Sequence, residues 1–453
     1  MKPIIKTEGR AGLFTQAELR KLIIPLIFEQ ALAIMVGTAD TMMISSVGEA
    51  AVSGVSLVDM MNILIINIMA ALATGGAVVT SQLLGAGNKK KACASASQLI
   101  FVTAVFAAAL ALLMILFRRG LMHLFFGSIT QEVYDNAIIY LIYTALSFPF
   151  LGVYNSCAAL FRSMGNSQIT LKISILMNLI NVCGNAVCIF GLHMGTAGVA
   201  IPSLISRAVA AVLILKLLRN RDLTIHLTGE KFRPDPDLIR RILFIGVPSG
   251  FENGIFQLGK IMVGSIVSTF GTWQIAANGV AGNLMTMGCI AGNGLNLAMI
   301  TVVGRCVGAG DSDQVRYYTK VMMGKVYLYT AAQNIVLLLL MKPLLSLYGL
   351  GPEAAALAYK MAVLHTVLAA FFWPLSFSLP NMLRACNDVR FTMIVAIASM
   401  CIFRLGFSVI LGVHFGMGAL GVCYAMFIDW GCRIVCFVFR YLSGAWKKQA
   451  HLT

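Results

Sequence analysis

Arg219-Asn-Arg-Asp-Leu-Thr-Ile-His-Leu-Thr-Gly-Glu-Lys-Phe-Arg-Pro-Asp-Pro-Asp237 is the only long charged interruption in a chain of 453 residues. Before it lie the apolar runs 22–46, 51–83, 93–117, 133–160, 169–191 and 197–218. After it lie 241–269, 275–304, 317–341, 354–383, 391–412 and 418–441. A helix crosses the hydrocarbon core with roughly 20 apolar residues, and lipid leaves unpaired backbone groups no partner. The runs therefore predict an all-α membrane protein with about 12 transmembrane helices in two six-helix bundles. The expected segments are a cytoplasmic N-terminal segment (1–21), an N-lobe (22–218), a cytoplasmic linker (219–240), a C-lobe (241–441) and a cytoplasmic tail (442–453).

Composition agrees. Hydrophobic residues make up 59% of the chain and charged residues 11%, against roughly 25% charged in soluble domains. Such a chain cannot cover a water-facing surface, so lipid must be much of its solvent. The formal charge of +16 does not point to nucleic acid, because the cations cluster in short loops between apolar runs. Lys89, Lys90 and Lys91, Arg162 and Lys172, the linker, Arg316 and Lys320, Arg384 and Arg390, and Arg440, Lys447 and Lys448 all fall on one side. The other side holds only Arg118, Arg119 and Lys342. Cations stay cytoplasmic, which predicts a multi-pass protein of the cell membrane with both termini inside. The cysteines, Cys432 and Cys436 among them, lie mostly in apolar runs without a second ligand pair at zinc spacing, and read as reduced core residues.

The halves echo each other at an offset of about 223 residues: Pro25-Leu-Ile-Phe-Glu29 faces Pro248-Ser-Gly-Phe-Glu252, and Gly85-Ala-Gly87 faces Gly308-Ala-Gly310. Leu160-Phe-Arg162 faces Met382-Leu-Arg384, and Gly191-Leu-His193 faces Gly412-Val-His414. An even number of spans per repeat makes the bundles parallel and pseudo-symmetric, and predicts a central cleft of the kind in which transporters place their sites.

Ionisable groups deep in lipid are costly and mark function or tight pairing. Asp40, in Val36-Gly-Thr-Ala-Asp40, has no cation nearby in sequence. Its candidate partners are Asn178, Asn181 and Asn185; the last two lie four apart on one helix face. Such a group can cage Na⁺ in oxygens, carry a proton, or simply hydrogen-bond helices together. Glu252 reads as a second coupling acid, a substrate-facing group or half of a structural pair. Lys260 can face substrate or snorkel to the interface. His365 is a proton relay or a satisfied core histidine. Arg404 is expected to pair with Asp429, beside Arg433.

With these residues in place, the chain resembles the multidrug and toxic compound extrusion (MATE) family, within the multidrug/oligosaccharide-lipid/polysaccharide flippase superfamily. The resemblance rests on Gly37-Thr-Ala-Asp40, Gly85-Ala-Gly87 and its echo, Arg162-Ser-Met-Gly165-Asn166, Asn181 with Asn185, and Gly198-Val-Ala-Ile-Pro-Ser203. It implies antiport in which H⁺ or Na⁺ drives export of small amphipathic, cationic organic compounds. It makes Asp40 the coupling carboxylate, with Asn181, Asn185 and Ser203 adding oxygens; Na⁺ would sit at Asp40, Asn181 and Asn185, and no tightly bound metal or cofactor is expected. Asn185 replaces an Asp and Ser203 a Thr of many relatives. The C-lobe keeps Glu252 but lacks the acid some members carry on the tenth helix. A lipid-linked saccharide flippase on the same scaffold is the alternative. An enzyme is disfavoured by the scattered histidines, and no GxxxxGK[ST] loop for ATP is present. The chain is expected to act as a monomer.

Overall fold

A computed structural model describes residues 6–7, 10–127, 129–227 and 232–452. Lys2 at the N-terminus and Glu230 and Lys231 of the polar linker lie outside the described residues. Apart from a two-residue hairpin, Lys6–Thr7 with Arg10–Ala11, the described chain is helical. In the first half run α1 (Gln16–Ser45), α2 (Glu49–Gly85), α3 (Lys89–Leu116), the short α4 (Arg118–Phe126), α5 (Gln131–Ser163), α6 (Ser167–Ala186, continued by a π-helical turn Val187–Gly191) and α7 (Ala197–Leu218). In the second run α8 (Pro236–Ser268), α9 (Thr272–Gly288), α10 (Ile290–Gly308), α11 (Ser312–Ser346) and α12 (Pro352–Trp373), which passes through a π-helical segment (Pro374–Ser378) into α13 (Leu379–Ala385). Then come α14 (Val389–Ala398), extended by π-helical Ser399–Gly406 and Ser408–His414, then α15 (Gly418–Leu442) and α16 (Trp446–Gln449).

Eleven of these helical stretches are long and apolar enough to cross a membrane, where the sequence predicts about 12. The difference is α8, whose 33 residues carry Glu252, Asn253, Gln257 and Lys260 in mid-helix and dilute its hydropathy. The eighth expected span, 275–304, is two helices rather than one, broken at Cys289. Large apolar side chains within the spans, such as Leu339 of α11 (77% exposed) and Val435 of α15 (69%), stand free on the surface, as a lipid-facing belt requires.

Contacts divide the chain into two compact units, 31–250 and 1–30 with 251–453. Against the expected lobes 22–218 and 241–441, the division falls inside α1 and α8 and not in the 219–240 linker. In the unit 31–250, Gly75 of α2 lies so close to α8 that an added Cβ would stand 2.6 Å from the Ile242 carbonyl oxygen and 2.7 Å from the Gly246 nitrogen. In the other unit, a Cβ on Gly294 of α10 would meet the Ile27 nitrogen of α1 at 2.9 Å. Small residues let membrane helices approach this closely. The chain leading into α1 is fastened to α11, where Tyr318 accepts from the Phe14 N–H (2.8 Å) and donates to the Phe14 carbonyl (2.9 Å).

The repeat appears in helix-end chemistry. Gly87 and Gly310 take the left-handed conformation (φ 73° and 74°) beyond α2 and α10, the position glycine fills without a Cβ penalty. Asn88 then caps α3 and Asp311 caps α11, their side chains accepting from first-turn N–H groups.

The break between α9 and α10 frees backbone groups that apolar surroundings would leave unsatisfied. Gln333 of α11 supplies both partners: its Oε1 accepts from the Ala291 N–H at 2.7 Å, and its Nε2 donates to the Met287 carbonyl. Replacing Gln333 by Leu should therefore cost about 2–6 kcal/mol, since it leaves two backbone groups unpaired and each costs roughly 1–3 kcal/mol. Denaturant titration of the purified variant checks this; an unchanged midpoint would refute the bracing role.

Candidate functional site

Within the unit 31–250, polar side chains from five helices meet. Gly184 of α6 lets this helix press onto α7, because a Cβ there would lie 2.7 Å from Pro202 Cβ. That contact brings Asn181 and Asn185 alongside Ser203. Asn181 Nδ2 donates to Ser203 Oγ (2.8 Å), and the Ser203 hydroxyl donates to the Val199 carbonyl one turn earlier (2.9 Å). Asn185 Nδ2 donates to Asp40 Oδ1 of α1 at 2.7 Å and reaches Asn181 Oδ1 at 3.5 Å. The four residues Asp40, Asn185, Asn181 and Ser203 thus form one continuous hydrogen-bond chain. Asn185 is fully buried, and its Oδ1 has no hydrogen-bond partner among the described residues. A buried acceptor beside a carboxylate is the donor set a cation or a proton-bearing group would complete.

Three further charged or phenolic groups join this cluster, none of them among the candidates that the sequence offers. Asp59 of α2 accepts from the Tyr140 hydroxyl of α5 at 3.0 Å and from Asn62 Nδ2 at 3.1 Å. Arg207, one turn beyond Ser203 on α7, donates to Ser147 Oγ of α5 at 2.6 Å. Asp59 and Arg207 are both close enough to act on the charge of Asp40. The signal for Asp59 and Arg207 was present, as each is an ionisable residue inside an apolar span; Tyr140, uncharged, gave none. Asn178, by contrast, reaches only Ser174 among the described residues, at 3.4 Å.

The remaining candidates lie in the other unit. Glu252 is 7% exposed and receives Arg384 Nη2 at 2.6 Å. This corrects the reading of Arg384 as a loop cation: the tenth span runs on through α13 to Ala385, which carries Arg384 into the helical region, where Asn381 also accepts from it at 2.6 Å. Arg404 approaches Asp429 at 3.8 Å, and Arg433 donates to it at 2.9 Å, the expected association. His365 is buried against Trp430 with ring centroids 5.4 Å apart. Lys260 lies over the Phe256 ring, 5.7 Å from its centroid. Among the described residues no group of three or more His, Cys, Asp or Glu side chains could hold a metal ion.

The family model MatE matches twice, over residues 25–187 and 248–410, each match opening at the proline of the repeat. The chain belongs to the MatE family. These are transporters of the MATE type, and this member is a multi-pass, all-helical membrane protein rather than an enzyme. It is 26% identical over 433 residues to the "Uncharacterized transporter YisQ" of Bacillus subtilis, covering 94% of each chain. It is 25% identical over 443 residues to the "Probable multidrug resistance protein NorM" of Thermotoga maritima, covering 96% of this chain and 94% of that one. A crystal structure of MATE in the bent conformation shares the fold with a TM-score of 0.86 at 19% identity, covering 96% of both chains. The outward-facing structure of a multidrug resistance MATE transporter gives 0.85 at 18% identity, again over 96% of both.

Proposed function

We propose that this MatE-family chain is an H⁺- or Na⁺-coupled antiporter that exports amphipathic organic compounds by alternating access. One observation carries the coupling: the Asp40–Asn185–Asn181–Ser203 chain ends on a carboxylate and leaves the buried Asn185 Oδ1 open. Relatives named as multidrug resistance proteins support the substrate class. A cationic group on the substrate, as the family resemblance implies, would find acids at Asp40 and Asp59. The cation bias of the loops supports both termini lying in the cytoplasm.

Each residue has a task in this reading. Asp40 supplies the charge that the coupling ion neutralises. Asn185 orients one Asp40 oxygen, and Asn181 and Ser203 hold Asn185 in turn. Arg207 and the Tyr140 hydroxyl steady the neighbouring Asp59. Asp40 lies on the part of α1 within the unit 31–250, and the same helix continues through Pro25 in the other unit. Proline removes a backbone hydrogen bond and weakens a helix locally, so α1 is suited to change shape when its far end gains or loses a charge. Coupling requires the ion to favour one conformation, since equal affinity for both shifts nothing.

Efflux from proteoliposomes under separately imposed Na⁺ and pH gradients tests the proposal; transport indifferent to both gradients would sink it. A second expected result concerns Asn185→Asp, which places another carboxylate beside Asp40. The ion concentration for half-maximal export should shift by at least about 5-fold, the lower end of ordinary coupling free energies. An unshifted ion dependence would take Asn185 out of the site.

A further inference from the structure

The unit formed by 1–30 and 251–453 holds a polar cluster in which cations outnumber acids. Lys260 of α8 and Arg433 of α15 both lie over the Phe256 ring, 5.7 and 5.3 Å from its centroid, and Arg433 also lies 5.5 Å from the centre of Phe377. Asp429 is the shared acid of Arg433 (2.9 Å) and Arg404 (3.8 Å), so one carboxylate faces two guanidiniums. The Ser399 hydroxyl also donates to it. The other buried acids described among residues 251–453, Glu252 and Asp388, are occupied by Arg384 at 2.6 Å and Arg440 at 2.7 Å. Lys260 is exposed and has no acid within ion-pair distance among the described residues; the cation it shares a ring with is Arg433, over Phe256.

Hydrogen bonding points the same way. Arg404 Nε and Trp430 Nε1 are buried donors without an acceptor among the described residues, and His365 Nδ1, on the ring packed against Trp430, is also unpartnered. Buried donors are normally paired. Asp429 Oδ2, 3.8 Å from Arg404 Nη1, is a buried acceptor that is likewise without a hydrogen-bond partner among the described residues. A single carboxylate does not balance Arg404, Arg433 and Lys260, however, and the surplus positive charge calls for a further acceptor that carries negative charge. Phe256, Phe377 and Phe427, the last 5.5 Å from Trp430, supply an aromatic surround.

We propose that Lys260, Arg404 and Trp430 form a subsite for an oxyanion, a carboxylate, sulfonate or phosphate, borne by a molecule with an aromatic or apolar body. Lys260 and Arg404 supply charge, the Trp430 and Arg404 N–H groups supply directed donors, and Phe256 and Phe377 receive the body. Building on the exporter reading, this adds anionic and zwitterionic amphiphiles to the compounds carried.

The test uses the full chain in phosphatidylcholine nanodiscs and three probes with one skeleton: 1-pyrenebutyrate, its uncharged amide, and 1-pyrenebutylamine. Binding is read by energy transfer from tryptophan, with empty nanodiscs subtracted. The carboxylate should bind about 10–100-fold more tightly than the amide, the range for hydrogen bonds to charged groups, and binding of the amine should not weaken in Lys260→Gln. Lys260→Gln should remove most of that preference and Lys260→Arg should retain it; Arg404→Gln should act like Lys260→Gln. Because Lys260 has no ion pair to lose, its variants keep the test valid if Arg404→Gln fails to fold. Equal binding of carboxylate and amide by the unaltered protein, or a preference untouched by Lys260→Gln, overturns the subsite. Displacement of pyrenebutyrate by dihexanoylphosphatidate alone assigns the oxyanion to a lipid headgroup; displacement by naphthalenesulfonate assigns it to a free amphiphile; displacement by neither counts against the site. A carboxylate preference without gradient-driven efflux refutes the exporter and leaves the subsite standing. Efflux without the preference does the reverse.

Discussion

Asp40→Asn should reduce gradient-driven export by roughly 10–100-fold, because coupling free energies of about 1–3 kcal/mol translate into factors of that order. The substitution keeps size and shape and removes only the negative charge. Its amide can still meet Asn185, so the hydrogen-bond chain from Ser203 to α1 survives in outline while the element that senses the ion is lost. The variant should therefore reach the membrane in normal amount and retain its stability, with the defect confined to coupling. Drug resistance in a sensitive host, read together with proteoliposome efflux, checks both parts. Resistance equal to that of the unaltered protein would remove Asp40 from the mechanism and leave it a packing residue.

The second large effect falls on stability. Asp429 is 0% exposed and is the acid of both Arg433, itself 3% exposed, and Arg404. Asp429→Ala leaves two guanidiniums in a low-dielectric interior without their counter-charge. Breaking a buried pair from one side costs about 3–5 kcal/mol, so this variant should unfold at markedly lower denaturant concentration. Asp429→Leu combined with Arg433→Met should recover much of the loss, since apolar replacement of a buried pair is often close to neutral. If the double variant is no better than Asp429→Ala, Arg404 alone accounts for the demand on this carboxylate. Unfolding of purified protein in detergent, followed by tryptophan fluorescence, distinguishes these outcomes.

The membrane class and the doubling were legible because both are written in long-range pattern. Apolar runs of helical length survive any local detail, and landmarks such as Pro25 and Pro248 recur in order. Chemistry and resemblance together point to Asp40, Asn181, Asn185 and Ser203, and the structure joins these four by hydrogen bonds. The finer geometry was hidden for identifiable reasons. Asp59 lies in a helix of 37 residues, whose long apolar stretch masks one acid; applying the intramembrane-charge criterion evenly would have found it and Arg207. Arg384 looked like a loop cation because a polar turn follows closely, and only the continued helix shows that it reaches Glu252. The break at Cys289 has no proline to announce it. Its glycines are equally compatible with a continuous helix, and the stabilising Gln333 is remote in sequence.

The partition of α1 and α8 has a consequence for biogenesis. Gln16–Gln30 is built into the unit made chiefly by the second half, and Pro236–Gly250 into the unit made by the first. Neither half of the polypeptide, severed at the charged segment, would carry every helix its own unit needs. As the ribosome delivers the first half, its unit must wait for the start of the second before Gly75 has Gly246 to pack against. The duplication has thus produced two halves mutually dependent during assembly, and co-expressed fragments cut between Arg219 and Asp237 should regain stability only when both are present.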